Sequence, residues 1–272
     1  MTSSYVHGYL AHESERLQDQ ADILADLLHS DTHYPGGSHV LEAGCGIGSQ
    51  TVMLASRSPG AQFTSIDISA HSLQRARHRV QSAGLGNVRF QQADIFELPF
   101  EPQSFDHVFV CFVLEHLSDP LQALRQLKAL IKPGGSITVI EGDHGSTLMH
   151  PHGDAAMDAV GCLVRLQAHA GGDALIGRRL YPLLAQAGFD AVSVSPRLAL
   201  ADAGRPGWVD GFTRKTFTTM IEGIRDDAIE AGLITPERFD QGIRELLRTT
   251  RGDGTFCYTF FKAIGRNAGT GP

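Results

Sequence analysis

The chain has 272 residues, of which 42% are hydrophobic and 19% charged, the composition of an ordinary globular protein. Its 23 Lys and Arg residues against 30 Asp and Glu residues give a formal net charge of −7, which disfavours nonspecific binding to nucleic acid or an anionic membrane. The four cysteines contain no CxxC pair, and no run approaches the roughly 18 apolar residues of a membrane span. We therefore expect a cytoplasmic protein with a small-molecule substrate and no nucleic-acid or membrane partner; the oligomeric state is not predicted.

In the first half of the chain, β-prone runs alternate with segments of helical period. An amphipathic helix built on Leu17, Ala21, Leu24 and Leu28 precedes the first strand. The predicted strands cover residues 39–43, 62–67, 88–92, 106–112 and 136–141, and the predicted helices cover 49–57, 69–83 and 120–131. This alternation predicts βαβ units and a parallel sheet.

Local signals mark the ends of these elements. Ser69 is the predicted N-cap of a helix that Gly84 closes, and residues 132–135, Lys-Pro-Gly-Gly, predict a turn through which no strand continues. The second half of the chain predicts helices at 178–187, 213–230 and 236–248, with strands at 191–195 and 255–263. Residues 143–177 receive no assignment.

The most informative motif is a glycine-rich turn between the first strand and its helix. Its glycines, Gly44, Gly46 and Gly48, let the backbone approach a ligand where a Cβ would collide. Asp67 ends the second strand, 23 residues after Gly44, where a carboxylate can accept hydrogen bonds from both ribose hydroxyls. Asp94 follows the third strand, within reach of an adenine. The alternative for each acid is a helix cap or a solvated loop position.

The charges around this turn favour one adenosine cofactor over another. A dinucleotide site needs a third glycine where Ser49 stands, and Glu42 at the entry of the loop would repel a pyrophosphate. A sulfonium cofactor with an ammonium group suits the carboxylates Glu42, Asp67 and Asp94. S-adenosylmethionine therefore fits better than NAD, although an NAD(P)-dependent oxidoreductase remains the alternative enzyme.

Five segments of the chain form a recurring pattern: 40–48, 66–69, 92–95, 105–106 with 113–117, and 130–135, in sequence VLEAGCGIG, IDIS, QADI, FD with VLEHL, and LIKPGG. In these segments the chain resembles the class I S-adenosylmethionine-dependent methyltransferases, in particular the small-molecule group of the ubiquinone and menaquinone C-methyltransferases. The order and spacing of the segments hold over residues 38–142, and more weakly to about 196 and at 255–264. The match is specific for the cofactor and says little about the substrate.

The resemblance implies a role for each matching residue. Glu42 organises the glycine loop, whose backbone lies under the methionine part of the cofactor, and Asp67 binds the ribose. Ile68 and Ile95 pack on the adenine, whose amino group donates to Asp94. The backbone carbonyl of Cys111 accepts from the cofactor's ammonium group. His116 is a further cofactor-binding candidate, with packing at a helix start as its alternative.

The acceptor side offers two candidate catalytic histidines. Ligands of an open α/β sheet bind at the carboxyl ends of its strands, and His144 lies just beyond the fifth strand. Histidine suits removal of a proton near neutral pH, which only some methyl acceptors require. His7, with Tyr9 and Arg16, is a candidate for a lid over the cofactor. We expect no bound metal, since His150 and His152 have no obvious third ligand.

Together these observations predict a doubly wound α/β fold, a Rossmann-like seven-stranded sheet with N-terminal and inserted cap helices. By family analogy the last strand is antiparallel. We expect an N-terminal lid helix region (1–37), a cofactor-binding core (38–200), an inserted helical cap (201–250) and the final core strand (251–266). The predicted function is methyl transfer from S-adenosylmethionine, with S-adenosylhomocysteine as product, to an aromatic or nitrogen-heterocyclic acceptor of secondary metabolism. Whether carbon, nitrogen or oxygen is methylated stays open, as does non-catalytic use of the cofactor.

Overall fold

A computed structural model of the chain describes residues 23–269, and its centre is one seven-stranded sheet. The strands are β1 His39–Ala43, β2 Gln62–Asp67, β3 Val88–Gln92, β4 Phe105–Cys111, β5 Ile131–His150, β6 Asp190–Asp202 and β7 Thr255–Arg266. Their order is β3-β2-β1-β4-β5-β7-β6, with β1 to β5 parallel and β7 antiparallel to both its neighbours. The predicted fold, including the antiparallel last strand, is confirmed.

Helices cover both faces of the sheet. They are α1 (described over residues 23–29), α2 Ser49–Arg57, α3 Ala70–Ser82, α4 Pro120–Leu130, α5 Asp154–His169, α6 Leu180–Gln186, α7 Pro206–Trp208, α8 Thr219–Glu222, α9 Arg225–Glu230 and α10 Pro236–Arg248. One hydrophobic cluster joins the sheet to α1, α2, α5 and the helices after β6. A second cluster joins the opposite face to α4 and α6. None of the described helices is long and apolar enough to cross a membrane.

Local chemistry sets several of these boundaries. The Ser69 hydroxyl accepts from the Ser72 N–H at 3.2 Å, and Gly84 has a φ of +68° just beyond α3, as predicted. The Lys-Pro-Gly-Gly segment, residues 132–135, was predicted to be a turn through which no strand continues, and this prediction is wrong. Strand β5 begins before it, at Ile131, and residues 132–135 bulge out between the partners of Phe105 and His107, with Gly134 at a φ of +82°.

The predicted single helix over 213–230 is wrong. A π-helix, Val209–Thr218, follows α7 directly and leads into α8, and Gly223 separates α8 from α9. The hydroxyls of Thr216 and Thr218 each donate to a carbonyl five residues earlier, at 2.8 Å. These side-chain hydrogen bonds compete with the i→i−4 backbone hydrogen bonds of an α-helix. They occur where the chain takes the wider turns of a π-helix.

Strands β5, β6 and β7 continue well past the ends of the other four. This extension accounts for part of the unassigned segment 143–177, because β5 runs to His150 before α5 begins at Asp154. Along β7, Phe256, Tyr258 and Phe260 are buried on one face. The helices from Pro206 to Arg248 lie between β6 and β7 in sequence and pack their aromatic residues on that face.

Candidate functional site

The glycine loop follows β1 at the carboxyl edge of the sheet. Gly44, Gly46 and Gly48 have φ values of +76°, +52° and +81°. A Cβ on Gly44 would lie 2.4 Å from Val113 Cγ2, and one on Gly48 would lie 2.9 Å from the backbone of Ala76. A Cβ on Gly46 would meet no described atom within 4 Å. The loop is therefore tight at both ends and open in the middle, where its backbone can face a ligand.

Glu42 holds this loop from beneath. Its carboxylate is buried, and Oε2 accepts from the hydroxyls of Thr51 at 2.7 Å and Ser65 at 2.6 Å, which joins β1 to α2 and β2. Oε1 has no hydrogen-bond partner among the described residues. Burial raises the pKa of Glu42 to about 7. An unsatisfied buried carboxylate oxygen is costly unless a donor or a positive charge approaches it.

Asp67 ties the end of β2 to the same loop. Its Oδ2 accepts from the Gly46 N–H and its Oδ1 from the Ser69 N–H, both at 2.8 Å. Burial raises its pKa. Each oxygen keeps a further lone pair, so the carboxylate can still accept from the two hydroxyls of a ribose. Beside it, the side chain of Ile68 is 58% exposed and offers apolar surface for a ring.

Asp94 lies one strand further along the edge, after β3. Its Oδ1 accepts from the Phe96 N–H at 2.9 Å and shapes the loop that carries the half-buried Ile95. Strand β3 is the parallel neighbour of β2, with Gln92 opposite Asp67. Asp67 and Asp94 therefore follow adjacent strands, which is the placement expected for two contacts to one adenosine.

On the other side of β1, strand β4 ends at Cys111 and a short 3-10 turn, Leu114–His116, follows. Cys111 is buried, and burial raises the pKa of its thiol well above the ordinary value, so the thiol stays neutral. Phe112 has a φ of +58°, which is unusual for a residue with a Cβ. His116 lies beside Glu115, with Nε2 3.6 Å from Glu115 Oε1.

His144 lies in the extension of β5, facing the helices after β6. It is 5% exposed, its Nδ1 is 3.4 Å from the hydroxyl of Tyr258, and its ring centroid is 6.2 Å from that of Phe217. A Cβ on Gly142 would lie 2.3 Å from Tyr258 Oη, so only glycine admits the hydroxyl there. Burial raises the pKa of Tyr258 well above its ordinary value. The fold therefore brings the imidazole of His144 and the phenol of Tyr258 together in the extension of β5, the strand next to β4.

Two polar residues of this region were not singled out from the sequence. Tyr258 falls within the predicted strand 255–263, and nothing in the sequence gives the register of β7 against β5. Glu141 is the last residue of the predicted strand 136–141. In the structure its buried Oε1 accepts from the N–H groups of Val113 at 3.0 Å and Leu114 at 2.8 Å. It thus fixes the turn after β4.

Some predictions fall elsewhere. His7, Tyr9 and Arg16 lie outside the described residues. Between residues 23 and 269, no group of three His, Cys, Asp or Glu side chains is arranged to hold a metal ion. The described candidates lie on five neighbouring strands or on the loops directly after them, β3, β2, β1, β4 and β5, in the order Asp94, Asp67, the glycine loop, Cys111 and His144. This carboxylate-rich edge, with an open glycine loop and an apolar side chain beside Asp67, fits an adenosine cofactor that carries a positive charge.

Comparison with known sequences agrees with this geometry. The sequence model of a family described as a methyltransferase domain matches residues 36–188. The chain is similar to 27-O-demethylrifamycin SV methyltransferase of Amycolatopsis mediterranei, with 29% identity over 82% of this chain and 77% of that protein. It is also 35% identical to demethylmenaquinone methyltransferase of Listeria welshimeri, over 39% of this chain and 45% of that protein. The chain spans about a quarter to a half of the length of several other curated relatives that it matches.

Among solved structures, the [4+2]-cyclase SpnF has the same fold. The match has a TM-score of 0.56 at 19% identity and covers 93% of this chain and 82% of that one. At that identity the likeness concerns the fold alone. A cyclase on this fold shows that fold and reaction are separable.

Proposed function

The chain belongs to the family of S-adenosylmethionine-dependent methyltransferase domains, and from that premise we propose that it methylates a small aromatic or nitrogen-heterocyclic acceptor of secondary metabolism. The observation that carries the cofactor assignment is the glycine loop held between two carboxylates. Glu42 supports it with one buried oxygen unsatisfied among the described residues, and Asp67 binds its open centre at Gly46. We further propose a cytoplasmic location and no nucleic-acid or membrane partner, in keeping with the net charge of −7.

We assign the cofactor contacts by position. The backbone from Gly44 to Gly48 would lie under the methionine part, and Asp67 would accept from the ribose hydroxyls. Asp94 would accept from the adenine amino group, with Ile68 and Ile95 on the faces of the ring. The carbonyl of Cys111 would accept from the ammonium group, and His116 would border it. His7, Tyr9 and Arg16 stay candidates for a lid.

When bound, S-adenosylmethionine supplies a methyl group already activated by its positive sulfur. The chain then has to orient the acceptor and exclude water. Phe217 and the other aromatic residues of the inserted helices cover the acceptor side with apolar surface. His144 is the base that we assign where the acceptor must lose a proton, with Tyr258 Oη 3.4 Å from its Nδ1 to orient the ring. His7 is a second candidate for that role.

The first experiment is calorimetric titration of the purified protein with S-adenosylmethionine, S-adenosylhomocysteine and NADH in parallel. We expect the two sulfur nucleosides to bind and NADH not to bind. Binding of NADH alone would overturn the cofactor assignment and favour an oxidoreductase. Because the fold also supports a cyclase, turnover needs its own measurement: formation of S-adenosylhomocysteine when aromatic and heterocyclic acceptors are added.

A further inference from the structure

A buried carboxyl group on β5 holds the turn that follows β4, residues 112–116. Glu141 is completely buried, and its Oε1 accepts from the N–H groups of Val113 at 3.0 Å and Leu114 at 2.8 Å. The first hydrogen bond within the turn runs from the His116 N–H to the Val113 carbonyl, so the two N–H groups before it have no acceptor in the turn itself. The neighbouring strand thus supplies the acceptor that they need.

The other end of the same turn is held from α5 and the loop after it. The Glu115 carbonyl accepts from the Asp173 N–H at 2.8 Å and from Gln167 Nε2 at 2.9 Å. A Cβ on Gly172 would lie 2.3 Å from that carbonyl oxygen, so this loop packs directly on the turn. The turn therefore cannot shift without breaking hydrogen bonds at one of its ends, which is costly for buried groups.

The turn begins with a peptide group whose two ends face opposite neighbours of β4. Phe112 donates its N–H to the Ile140 carbonyl on β5 at 2.9 Å. In a trans peptide the C=O points away from the N–H, so the Cys111 carbonyl points towards the other neighbour of β4, which is β1. The pairing of β1 with β4 ends at Ala43 and Val110, one residue before that carbonyl. The carbonyl therefore faces the glycine loop, just past the end of the paired strands.

The glycine loop turns away from β4, and one side chain sets its distance from the turn. Gly44 and Cys45 donate their N–H groups to the Ile66 carbonyl on β2, at 2.9 and 2.8 Å. Val113 packs on Gly44, where an added Cβ would lie 2.4 Å from Val113 Cγ2. The strand order reverses between β1 and β4, which is where ligands of open α/β sheets bind. The turn and the loop are thus the two sides of that position.

The backbone of Phe112 makes the hold on the turn necessary. Its φ of +58° lies in the left-handed region, which a residue with a Cβ occupies only where neighbouring contacts keep it there. Those contacts are its own N–H bond to β5 and the two bonds that Glu141 accepts from the next two residues. Without the carboxyl group, Phe112 would relax towards a negative φ, and the Cys111 carbonyl and Val113 would move with it.

We propose that Glu141 is a positioning residue for the methionine end of S-adenosylmethionine. It acts through the turn, in which the Cys111 carbonyl can accept from the cofactor's ammonium group and Val113 supports the glycine loop. The acids assigned to the adenosine, Asp67 and Asp94, follow strands on the other side of β1 and do not depend on this turn. This inference rests on the proposed function, because it requires the loop to bind S-adenosylmethionine.

Two neutral thioethers separate the methionine end of the cofactor from the rest. S-adenosylhomocysteine carries the amino-acid chain, and 5′-methylthioadenosine has a methyl group in its place. In calorimetric titrations of the unaltered protein, we expect S-adenosylhomocysteine to bind at least about tenfold more tightly, because hydrogen bonds to a charged group are strong. Equal affinities would overturn the inference without any variant, since the amino-acid chain would then gain nothing from the turn.

The decisive variant is Glu141→Ala, which leaves two buried N–H groups without their acceptor. Its affinity for S-adenosylmethionine and S-adenosylhomocysteine should fall about tenfold, whereas its affinity for 5′-methylthioadenosine should change less than about twofold. Glu141→Gln keeps an oxygen for both N–H groups and should restore all three affinities to within about twofold of the unaltered protein. Asp143→Ala is the matched control from the same strand. Asp143 is also buried, but it binds Arg178 and the Gly145 N–H, so the three affinities should stay within about twofold.

A merely structural role for Glu141 would give a different pattern. Glu141→Ala would then weaken all three ligands by the same factor or leave all three unchanged, and either result contradicts the inference while the proposed function stands. If Glu141→Ala does not fold, Gln167→Ala removes one of the two bonds to the Glu115 carbonyl at the far end of the turn. It should show the same selectivity with a smaller loss, about threefold, and a loss without selectivity contradicts the inference. A protein that binds none of the three ligands contradicts the proposed function itself, and the inference with it.

Discussion

The two ends of the carboxyl edge are built by different means. Around β1, β2 and β4, carboxylates bind loop backbone, as Asp67 binds Gly46 and Glu141 binds Val113. In the extension of β5 to β7, the buried face of β7 is aromatic and packs on Phe212 and Phe217. The first region places main-chain atoms, whereas the second fills space with closely packed rings. After the roles proposed for them, we call the first the cofactor region and the second the acceptor region. Substitutions in the first region should therefore change cofactor binding or the pH dependence of stability, and substitutions in the second should change stability without changing cofactor binding.

The largest expected effect is on stability, from Phe212→Ala in the aromatic region. Phe212 is 2% exposed, and five aromatic rings lie within 6.4 Å of its ring centroid: Trp208, Phe217, Phe256, Tyr258 and Phe260. Removal of this ring leaves a cavity that should lower the free energy of unfolding by about 3–5 kcal/mol, measured in urea. Affinity for S-adenosylmethionine should stay within about twofold.

Leu148→Ala is the control for this substitution. Its side chain is 68% exposed, so the free energy of unfolding should change by no more than about 0.5 kcal/mol. If Phe212→Ala instead weakened S-adenosylmethionine binding with little loss of stability, the division between the two regions would be wrong.

A second effect concerns the pH dependence of stability in the cofactor region. The pKa of Glu42 is about 7 in the folded protein, against 4.5 as its ordinary value. As the pH rises from about 4.5 to 7, the unfolded chain loses this proton first, so the folded state is destabilised by up to about 3 kcal/mol. Glu42→Gln should remove that part of the slope, as measured by unfolding at several pH values. Glu101→Gln, at an exposed position, should retain the wild-type slope.

The sequence was sufficient for most of the cofactor region because its contacts are local. The glycine turn, Asp67 and Ser69 lie within short strand-turn-helix units, and their spacing alone predicts which loops meet at the edge. The ends of helix α3 also follow from local signals in the sequence, with Ser69 as its N-cap and Gly84 just beyond its last turn. The sequence shows a carboxyl group at the entry of the loop, Glu42. Its burial, and the lack of a hydrogen-bond partner for one of its oxygens among the described residues, depend on packing and could not be predicted.

The acceptor region could not be predicted in the same way because its contacts join distant segments. The meeting of His144 with Tyr258 depends on the register of β7 against β5, across 114 residues. The π-helix depends on threonine hydroxyls that donate to carbonyls five residues back, a pattern that ordinary helical periodicity does not report. Neither feature leaves a sequence signal as compact as a glycine turn.

The third effect is on cofactor binding, from Gly44→Ala. Gly44 has a φ of +76°, and the new Cβ would lie 2.4 Å from Val113 Cγ2, so the loop or the turn after β4 must shift. A displacement of that kind should weaken S-adenosylmethionine binding about a hundredfold, measured by calorimetry. Gly84→Ala shares the positive φ, at +68°, but has open space around the new Cβ. It should cost about 1–2 kcal/mol of stability and leave the affinity unchanged.

The smallest of the four effects, and the most specific, is expected from Asp67→Asn. The amide would turn an N–H group towards the N–H of Gly46 or Ser69 and would lose the charge that a ribose hydroxyl binds. Because both sulfur nucleosides contain the ribose, their affinities should fall together, by about tenfold. Asp143→Asn is the control from the acceptor region, where the carboxylate pairs with Arg178, and both affinities should stay within about twofold. A loss confined to S-adenosylmethionine would assign Asp67 to the sulfonium charge rather than to the ribose, since the two ligands differ only at the sulfur.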